Sequence, residues 1–595
     1  MRLIQPFLKS FYFLAFIFSV GNSSAQNFQL QLNANSHNIG DGSATVVSSD
    51  SVKTAHWSNL QSVDSISANG LKEGINYTVS VKFKNGNVQE QTFVIPAISS
   101  EEKMNSLFVP IVDAFGVVLF YDPFAALHLY DQHLYDSNGN QIKHPNGDPV
   151  KTEIWLVVVL LIGSAIFFTF YFRFINVRAF GHAWKITFGQ FTKKTDEGEV
   201  TPFQALSAAL SGTLGLGNIS LVAVAIAVGG PGATFWIIVA GLFGMTTKFV
   251  ECTLGVKYRK ISASGEVSGG PMYYLSAGLA KKGWQRSGKI LAVIFAIMCV
   301  GGTLGGGNMV QANQAFDMVK TTIPGSEQYA LWIGVAFAIA VGFVIVGGIK
   351  SIARVTDKMI PALVVVYCGF ALTIIGMNIS HIGEAASLIF NGAFSPDGMK
   401  GGFLGVMMMG FRRAAFSNEA GIGSASIAHS TSKTNKPVTE GMVSLLEPFI
   451  DTVVVCTMTA LVLVFTGYAT DAHGLNGSAL TAAAFRSVFP WTDWILLICI
   501  VLFAYATMIS WSYYGMKSWA YLFGEKWWIK QSFNLLFLFC TVLGTVSSFG
   551  AVVDFSDMMI LGMAFPNLIG LWVLKDEVKR ELQKYWTERK NVDLS

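Results

Sequence analysis

Two apolar stretches of the chain each contain a short segment rich in glycine and polar residues. The first runs from Ser211 to Asn218 and holds three glycines in eight residues, and the second runs from Phe416 to Ser424. Such segments predict breaks in helices. A broken helix exposes N–H groups that attract a carboxylate and carbonyl groups that hold a cation or an ammonium group. The predicted chemistry is therefore binding rather than bond making.

Glycine also allows helices to approach one another closely, so packing alone is the alternative interpretation. The polar neighbours Thr213, Asn218, Asn418 and Glu419 favour a binding site, because apolar packing requires none of them. Each hydroxyl group has a second interpretation as well, a hydrogen bond back to its own helix.

Composition identifies the class of protein in which these segments lie. Of 595 residues, 52% are hydrophobic and 13% are charged, which is too little charge for a soluble surface. The formal net charge of +4 is close to neutral and does not indicate nucleic-acid binding. All six cysteines fall in apolar runs without a CxxC pair, and the histidines lack metal-ligand spacing, so neither disulfides nor a zinc site are expected.

The order of segments predicts an all-α polytopic membrane protein preceded by a small β-domain. We expect a signal peptide at residues 1–25, an extracytoplasmic β-domain with an Asn85-Gly86 turn at 26–98, and an interfacial helix and loop at 99–153. A transmembrane transporter domain is expected at 154–574, and a cytoplasmic tail at 575–595.

Eleven apolar segments are long enough to span a membrane. They are residues 154–175, 202–229, 233–255, 289–311, 330–348, 359–378, 402–428, 443–467, 494–515, 532–552 and 557–574.

Basic residues predict the orientation of these spans. The loops after even-numbered spans contain only Lys320, Lys400 and Arg486, whereas the loops after odd-numbered spans and the tail are rich in Lys and Arg. This bias places the odd loops and the C-terminus in the cytoplasm of a bacterial cell, with the β-domain in the periplasm.

Charged residues within spans should face protein or water, because a lipid-facing charge costs about 2.5–3.5 kcal/mol. The basic ones are Lys248, Arg412 and Arg413, and the clearest acidic ones are Glu251 and Glu419. Lys248 and Glu251 are three residues apart on one helix, so we expect them to pair with each other.

The two predicted breaks fall in spans 2 and 7. An offset of five reverses the direction through the membrane, so spans 2–11 fit a five-plus-five inverted repeat.

Several blocks of sequence resemble the alanine or glycine:cation symporter family over about residues 152–574. They are Gly215-Leu216-Gly217-Asn218, the block from Ser268 to Tyr274, the block from Gly306 to Asn313, Ser417-Asn418-Glu419-Ala420-Gly421, the block from Leu446 to Thr452, and the block from Ser510 to Gly515. The resemblance implies a neurotransmitter:sodium symporter-like core and symport of a small neutral amino acid with sodium. It covers neither the signal peptide nor the β-domain.

The resemblance also implies roles for single residues. Leu216 and Gly217 would offer N–H groups to the substrate carboxylate, with Asn218 and the side chain of Gln311 beside it, and Phe416 and Trp511 would wall the pocket. One sodium ion, the coupling ion and the only cofactor expected, would lie between carbonyls of Ser211 and Leu214 and the hydroxyls of Thr507 and Ser510. A second sodium site near Thr213 and Asn218 is suggested by analogy.

Other functions remain open at this point. A membrane sensor with a ligand-binding β-domain would need a cytoplasmic output domain, and residues 575–595 are too short for one. A channel, a membrane-embedded enzyme and a symporter of another small solute are further alternatives, but no Ser/His or His/Asp constellation lies in the spans, and two broken helices suit alternating access.

The predicted orientation can be tested by labelling. We expect Lys82 to react with a membrane-impermeant amine reagent on intact spheroplasts, and Lys584 to react only after the membrane is opened. Mass spectrometry of the labelled peptides measures both, and labelling of Lys584 in sealed cells would overturn the topology.

Overall fold

The computed structural model divides the chain into two compact units, Met1–Pro110 and Ile111–Ser595. The described residues are 29–33, 42–47, 52–57, 67–71, 76–84, 87–94, 116, 119–128, 132–133, 141, 153–193, 195–394, 402–471, 475, 477–489, 491–546 and 550–593. The predicted signal peptide and the predicted Asn85-Gly86 turn lie outside them.

The first unit contains two antiparallel sheets of three strands. The strands are β1 (Gln29–Asn33), β2 (Gly42–Val47), β3 (Val52–Trp57), β4 (Ser67–Leu71), β5 (Asn76–Phe83) and β6 (Val88–Val94), in the orders β1-β2-β4 and β3-β5-β6. Every second residue of β5 is buried, as expected for a strand with one face on a core. Trp57, Phe83 and Phe93 belong to a single hydrophobic cluster to which both sheets contribute.

The second unit is helical. Its main helices are α1 (Leu156–Tyr171), α2 (Phe180–Thr187), α3 (Pro202–Thr213), α4 (Val222–Gly229), α5 (Ala233–Lys257), α6 (Gln285–Leu304), α7 (Val310–Thr322), α8 (Ala330–Ile345), α9 (Gly348–Met377), α10 (Ile382–Phe394), α11 (Gly402–Asn418), α12 (Ala425–His429), α13 (Pro437–Val443), α14 (Thr457–Phe465), α15 (Gly477–Val488), α16 (Thr492–Phe523), α17 (Trp527–Val546), α18 (Gly550–Gly562) and α19 (Ala564–Asp593). A short hairpin of β7 (Lys260–Ile261) and β8 (Val267–Ser268) follows α5.

Eight helices in the described part of the chain are long and apolar enough to cross a membrane, or nine if the bent pair α3–α4 forms one span. Two further predicted spans coincide with α1 and α11, which are shorter, at 16 and 17 residues. The protein is therefore a polytopic helical membrane protein. The count of eleven spans stays a prediction.

The first predicted break lies between α3 and α4. Thr201 and Gln204 form a capping box at the start of α3. The helix ends at Thr213, and a π-helical turn, Gly217–Leu221, leads into α4 at an angle of 52°. The chain therefore interrupts this span within the segment that its glycines predict.

The second predicted break lies between α11 and α12. Three residues between the two helices have positive φ angles: Glu419 at +53°, Gly421 at +94° and Gly423 at +96°. Glycine adopts this conformation readily, whereas Glu419 is a non-glycine residue for which it is uncommon. The break thus combines permissive glycines with one strained acidic residue.

Close contacts hold α5 against α12 and α13. A Cβ atom added at Gly255 would lie 2.9 Å from the carbonyl oxygen of Ser426, and one added at Gly441 would lie 2.7 Å from that of Phe249. Side chains at these positions would force the helices apart, so glycine permits the approach. This packing brings polar residues of α5 next to the second break.

Candidate functional site

The side chain of Asn218 connects the first break to the rest of the helical unit. Its Oδ1 accepts a hydrogen bond from the backbone N–H of Gly215 at 3.0 Å. Its Nδ2 donates to Oδ1 of Asp451 at 2.7 Å and lies 3.2 Å from the Ser417 hydroxyl. Asn218 is 1% exposed, so these bonds form away from water, where an unmade bond is costly. We name Asn218, Asp451 and Ser417 the break clamp.

Asp451 lies in a π-helical segment, Phe449–Cys456, between α13 and α14. Its second oxygen, Oδ2, accepts from the hydroxyl of Ser417 at 2.6 Å and from that of Thr452 at 2.7 Å. Thr452 in turn accepts from Nδ2 of Asn418 at 3.0 Å. One buried carboxylate therefore joins the two breaks through four polar side chains.

Two threonines satisfy carbonyl groups at the first break. The hydroxyl of Thr459 on α14 donates to the carbonyl oxygen of Asn218 at 2.8 Å, and that of Thr481 on α15 donates to the carbonyl oxygen of Ile219 at 3.0 Å. A break inside a membrane protein is tolerated where neighbouring helices supply such partners.

The hydroxyls proposed for sodium lie where α3 meets α16. The hydroxyl groups of Ser211 and Ser510 are hydrogen-bonded to each other, and both hydroxyl oxygens lie 2.9 Å from the carbonyl oxygen of Ala208, which accepts from the hydroxyl that does not donate to its neighbour. Thr507 lies close to the break, since its Oγ1 is 2.6 Å from the position of a Cβ atom added at Gly215. The hydroxyl of Thr507 donates to the carbonyl oxygen of Phe503 at 3.0 Å.

Thr213 behaves differently from the other proposed ligands. Its hydroxyl donates to carbonyl oxygens of its own helix, those of Leu210 at 3.3 Å and Ala209 at 3.5 Å. Leu214 ends the helix in an extended conformation and is fully buried. The structure thus brings Ser211 and Ser510 into contact and places Thr507 beside Gly215. The side-chain hydrogen bonds of Thr213 and Asn218 lead to different partners.

The residues proposed for the substrate surround the first break. Nε1 of Trp511 donates to the carbonyl oxygen of Gly212 at 3.1 Å. Nε2 of Gln311 donates to the carbonyl oxygen of Gly306 at 3.0 Å, and its Oε1 lies 3.6 Å from a Cβ position on Gly215. That oxygen is buried and lacks a hydrogen-bond partner in the described part of the chain. A ligand that donates hydrogen bonds would satisfy it.

The remaining proposed residues line the two breaks. Leu216 is buried, and a Cβ atom added at Gly217 would meet nothing closer than 3.9 Å, the Cα atom of Ser417. Phe416, in the last turn of α11, is half-buried beside the hydrophobic core. Gly217 and Ser417 therefore face each other across the two breaks.

The expected pairing of Lys248 with Glu251 is wrong. Nζ of Lys248 donates to Oε1 of Glu447 at 3.0 Å, and Glu251 accepts from Nδ2 of Asn567 at 2.6 Å. Packing of α5 against α13 and the residues that follow it offers Lys248 a closer partner than its own helix does. The sequence predictions also gave no role to Glu447 and Asp451. Both are acidic residues within a predicted span, and the same feature identified Glu419, so they could have been found in the same way.

The break clamp makes a testable prediction. In Asp451→Asn, an amide N–H replaces one of the two carboxylate oxygens, so at least one of the three donors to Asp451 loses its acceptor, at a cost of about 1–3 kcal/mol for each buried donor. We expect a lower melting temperature of the purified protein and loss of sodium-dependent uptake. Asp317→Asn, at a half-exposed pair with Lys320, is the control. A melting temperature equal to wild type in Asp451→Asn would contradict the clamp.

Comparison with known proteins places this geometry in a family. The chain matches the sodium:alanine symporter family over residues 141–594. It is 40% identical over 447 residues to the sodium/alanine symporter AgcS of Methanococcus maripaludis, covering 74% of this chain and 97% of that protein. It is 34% identical over 446 residues to the probable sodium/glutamine symporter GlnT of Bacillus subtilis, covering 73% and 88%. A crystal structure of MhsT in complex with L-phenylalanine matches with a TM-score of 0.44 at 16% identity, covering 64% of this chain and 89% of that one. The family match and the extent of these relatives show that the chain belongs to the sodium:alanine symporter family and is a membrane transporter, not an enzyme.

Proposed function

We propose that this protein couples the entry of sodium to the uptake of a small neutral amino acid, alanine or glycine, across the bacterial inner membrane. The observation that carries the proposal is the buried, unpartnered Oε1 of Gln311 beside the break at Gly215. An amino acid bound there would place its ammonium group on this oxygen and its carboxylate on the N–H groups of Leu216 and Gly217.

The proposed sodium site supports coupling. Ser211 and Ser510 bring hydroxyl oxygens together at the contact of α3 with α16, and Thr507 lies one turn from Ser510, near the break. Hydroxyls and carbonyls provide hard oxygen ligands without a fixed charge. Carbonyls of Ser211 and Leu214 would complete the set. The second site, near Thr213 and Asn218, would require Asn218 to release part of the break clamp.

The energetics permit one sodium ion per substrate. One charge moving down about 100 mV gains about 2.3 kcal/mol, and a tenfold gradient adds about 1.4 kcal/mol. Their sum corresponds to several-hundred-fold accumulation of a neutral solute.

The architecture proposed for this cycle has eleven spans, with spans 2–11 in a five-plus-five inverted repeat. The first and second breaks would then be equivalent elements of the two repeats. The β-sheets of the first unit would lie in the periplasm and the C-terminus in the cytoplasm, as the distribution of basic residues predicts. A symporter of another small solute, or a sensor, would share this topology but differ in the transport assay.

The test is uptake of labelled alanine into proteoliposomes with an inward sodium gradient or with potassium in its place. We expect uptake only with sodium, and competition by unlabelled alanine or glycine. Uptake that ignores sodium, or competition by glutamine alone, would contradict the proposed function.

Gly217→Val tests the substrate site within the same assay. A Cβ atom fits at Gly217 in the structure, so the variant should fold, but its side chain would block close approach of the carboxylate to the N–H groups. We expect uptake to be lost. Gly369→Val, at an open position on α9, should transport as wild type does. Normal substrate affinity in Gly217→Val would rule out the proposed site.

A further inference from the structure

A row of charged side chains lies inside the helical unit beyond the proposed sodium hydroxyls. Lys248 donates to Oε1 of Glu447 at 3.0 Å, and Oε2 of Glu447 lies 3.4 Å from Nε2 of His429. Nδ1 of His429 lies 2.6 Å from Oε1 of Glu440. All four side chains are 0% exposed. We name Lys248, Glu447, His429 and Glu440 the buried charge chain.

The geometry specifies the protonation of His429. A neutral imidazole has one N–H donor and one lone pair, and a lone pair directed at a carboxylate is repulsive. Both ring nitrogens of His429 face carboxylate oxygens, so the imidazolium, with two donors, fits this environment. The buried charge chain then contains two positive and two negative groups, which is the balance that burial of ions requires.

Two further buried carboxylates lie next to the buried charge chain. Glu251 and Glu419 both interact electrostatically with Lys248. Glu251 accepts from Asn567, and Glu419 accepts from the hydroxyl of Ser424. No salt bridge within the described residues includes either of them, and Lys248 already pairs with Glu447. The region therefore holds more carboxylates than cations.

Buried carboxylate oxygens without hydrogen-bond partners indicate that this region can bind a further proton. The polar atoms without hydrogen-bond partners in the described part of the chain include Oε2 of Glu251 and Oε2 of Glu440. Nε2 of His429 and Oε2 of Glu447 face each other at 3.4 Å but are not hydrogen-bonded. Among those residues, no group of three or more His, Cys, Asp or Glu side chains could hold a metal ion. A proton is the ligand that a surplus of buried carboxylate oxygens without metal geometry can bind.

Other titratable or charged groups face this region from each element packed against it. They are Cys252 on α5, Arg259 after α5, Tyr274 beside Asn567, Asp451 after Glu447, and Tyr514 on α16. Arg259 is half-buried, interacts electrostatically with Glu440, and donates to the carbonyl oxygens of Ser430 and Ser432 at 2.9 and 2.7 Å. The end of the buried charge chain that lies nearest to water is therefore the Glu440 end, beside Arg259.

We propose that the buried charge chain is a proton-binding site in which His429 carries the exchangeable proton. The proton moves from Nδ1 of His429 to Oε1 of Glu440, which leaves a neutral imidazole and a carboxylic acid. Glu440 then releases the proton to water at the Arg259 end and becomes a carboxylate again. Each release leaves one additional negative charge within the helical unit.

This proton site would affect sodium, and to that extent the inference rests on the proposed function. The helix that carries His429, α12, packs against α3 and α16, which carry the proposed sodium hydroxyls. A proton on His429 disfavours a cation in the same low-dielectric region, and its loss favours one. Because linkage is reciprocal, sodium and the proton compete.

The experiment is a sodium titration of alanine uptake in proteoliposomes, with the same pH on both sides, from about pH 5.5 to about pH 9. In wild type we expect the half-saturating sodium concentration to be roughly three- to tenfold higher at the acidic end. In His429→Gln it should not vary with pH. In Glu440→Gln the change should occur at lower pH, since one carboxylate fewer holds the proton. Glu588→Gln, which removes an exposed pair with Lys436, should behave as wild type.

Several outcomes overturn the inference. A half-saturating sodium concentration independent of pH in wild type does so without any variant, and so does a wild-type pH dependence in His429→Gln. If His429→Gln yields no monodisperse protein, an unshifted profile in Glu440→Gln overturns it. Wild-type protein without sodium-dependent uptake at any pH would instead contradict the proposed function.

Discussion

The side chain of Asn218 spans the break in one helix and reaches the carboxylate of Asp451 on another. This hydrogen bond, 2.7 Å long and shielded from solvent, fixes the start of the π-helical turn Gly217–Leu221. The same carboxylate accepts from Ser417 at the second break. A helix that loses its internal hydrogen bonds within a membrane needs external partners, and the break clamp supplies them from side chains that also set the distance between the two breaks.

The clamp explains why glycine and polar residues occur together in these segments. Glycine at position 215 makes room for Thr507, since a Cβ atom there would lie 2.6 Å from its hydroxyl oxygen. Position 217 has space in the structure, so its glycine is better explained by a ligand than by packing. The two glycines, two residues apart, thus serve different purposes, one structural and one proposed for binding.

Buried charged residues are concentrated in one part of the helical unit. The helical unit buries Lys248, His429 and several carboxylates around α5, α12 and α13, where glycine contacts bring the helices close together. Buried ion pairs add little stability relative to apolar packing, so their presence here calls for another explanation. Proton binding is one that the arrangement of His429 between two carboxylates supports.

The sequence predicts what depends on local pattern. Both helix breaks lie where glycine density places them, because glycine and polar residues weaken a helix wherever it packs. Ser211 and Ser510, two of the residues that the resemblance assigns to sodium, are in contact through their hydroxyl groups, and their role as ligands stays a prediction.

Contacts between segments that are far apart in sequence cannot be predicted from local pattern. Lys248 and Glu251 share a helix face, yet Lys248 pairs with Glu447, 199 residues away. The partner of Asn218 is still more distant in sequence, at position 451. Thr213 bonds back to its own helix, an outcome that hydroxyls allow everywhere and that spacing does not distinguish. The packing of α5 against α13 and its neighbours decides the partner of Lys248, and the packing of the two π-helical segments against each other decides that of Asn218.

The central claim is that hydroxyls on α16 hold the coupling ion opposite the first break, and a sodium titration of alanine uptake in Thr507→Ala tests it most directly. Thr373→Ala is the matched control, because Thr373 makes a similar bond to its own helix, to Gly369, on an exposed face of α9. The account predicts a raised half-saturating sodium concentration in Thr507→Ala, with substrate affinity restored at saturating sodium. An unchanged half-saturation with a normal maximal rate would contradict it and would assign Thr507 only its bond to Phe503.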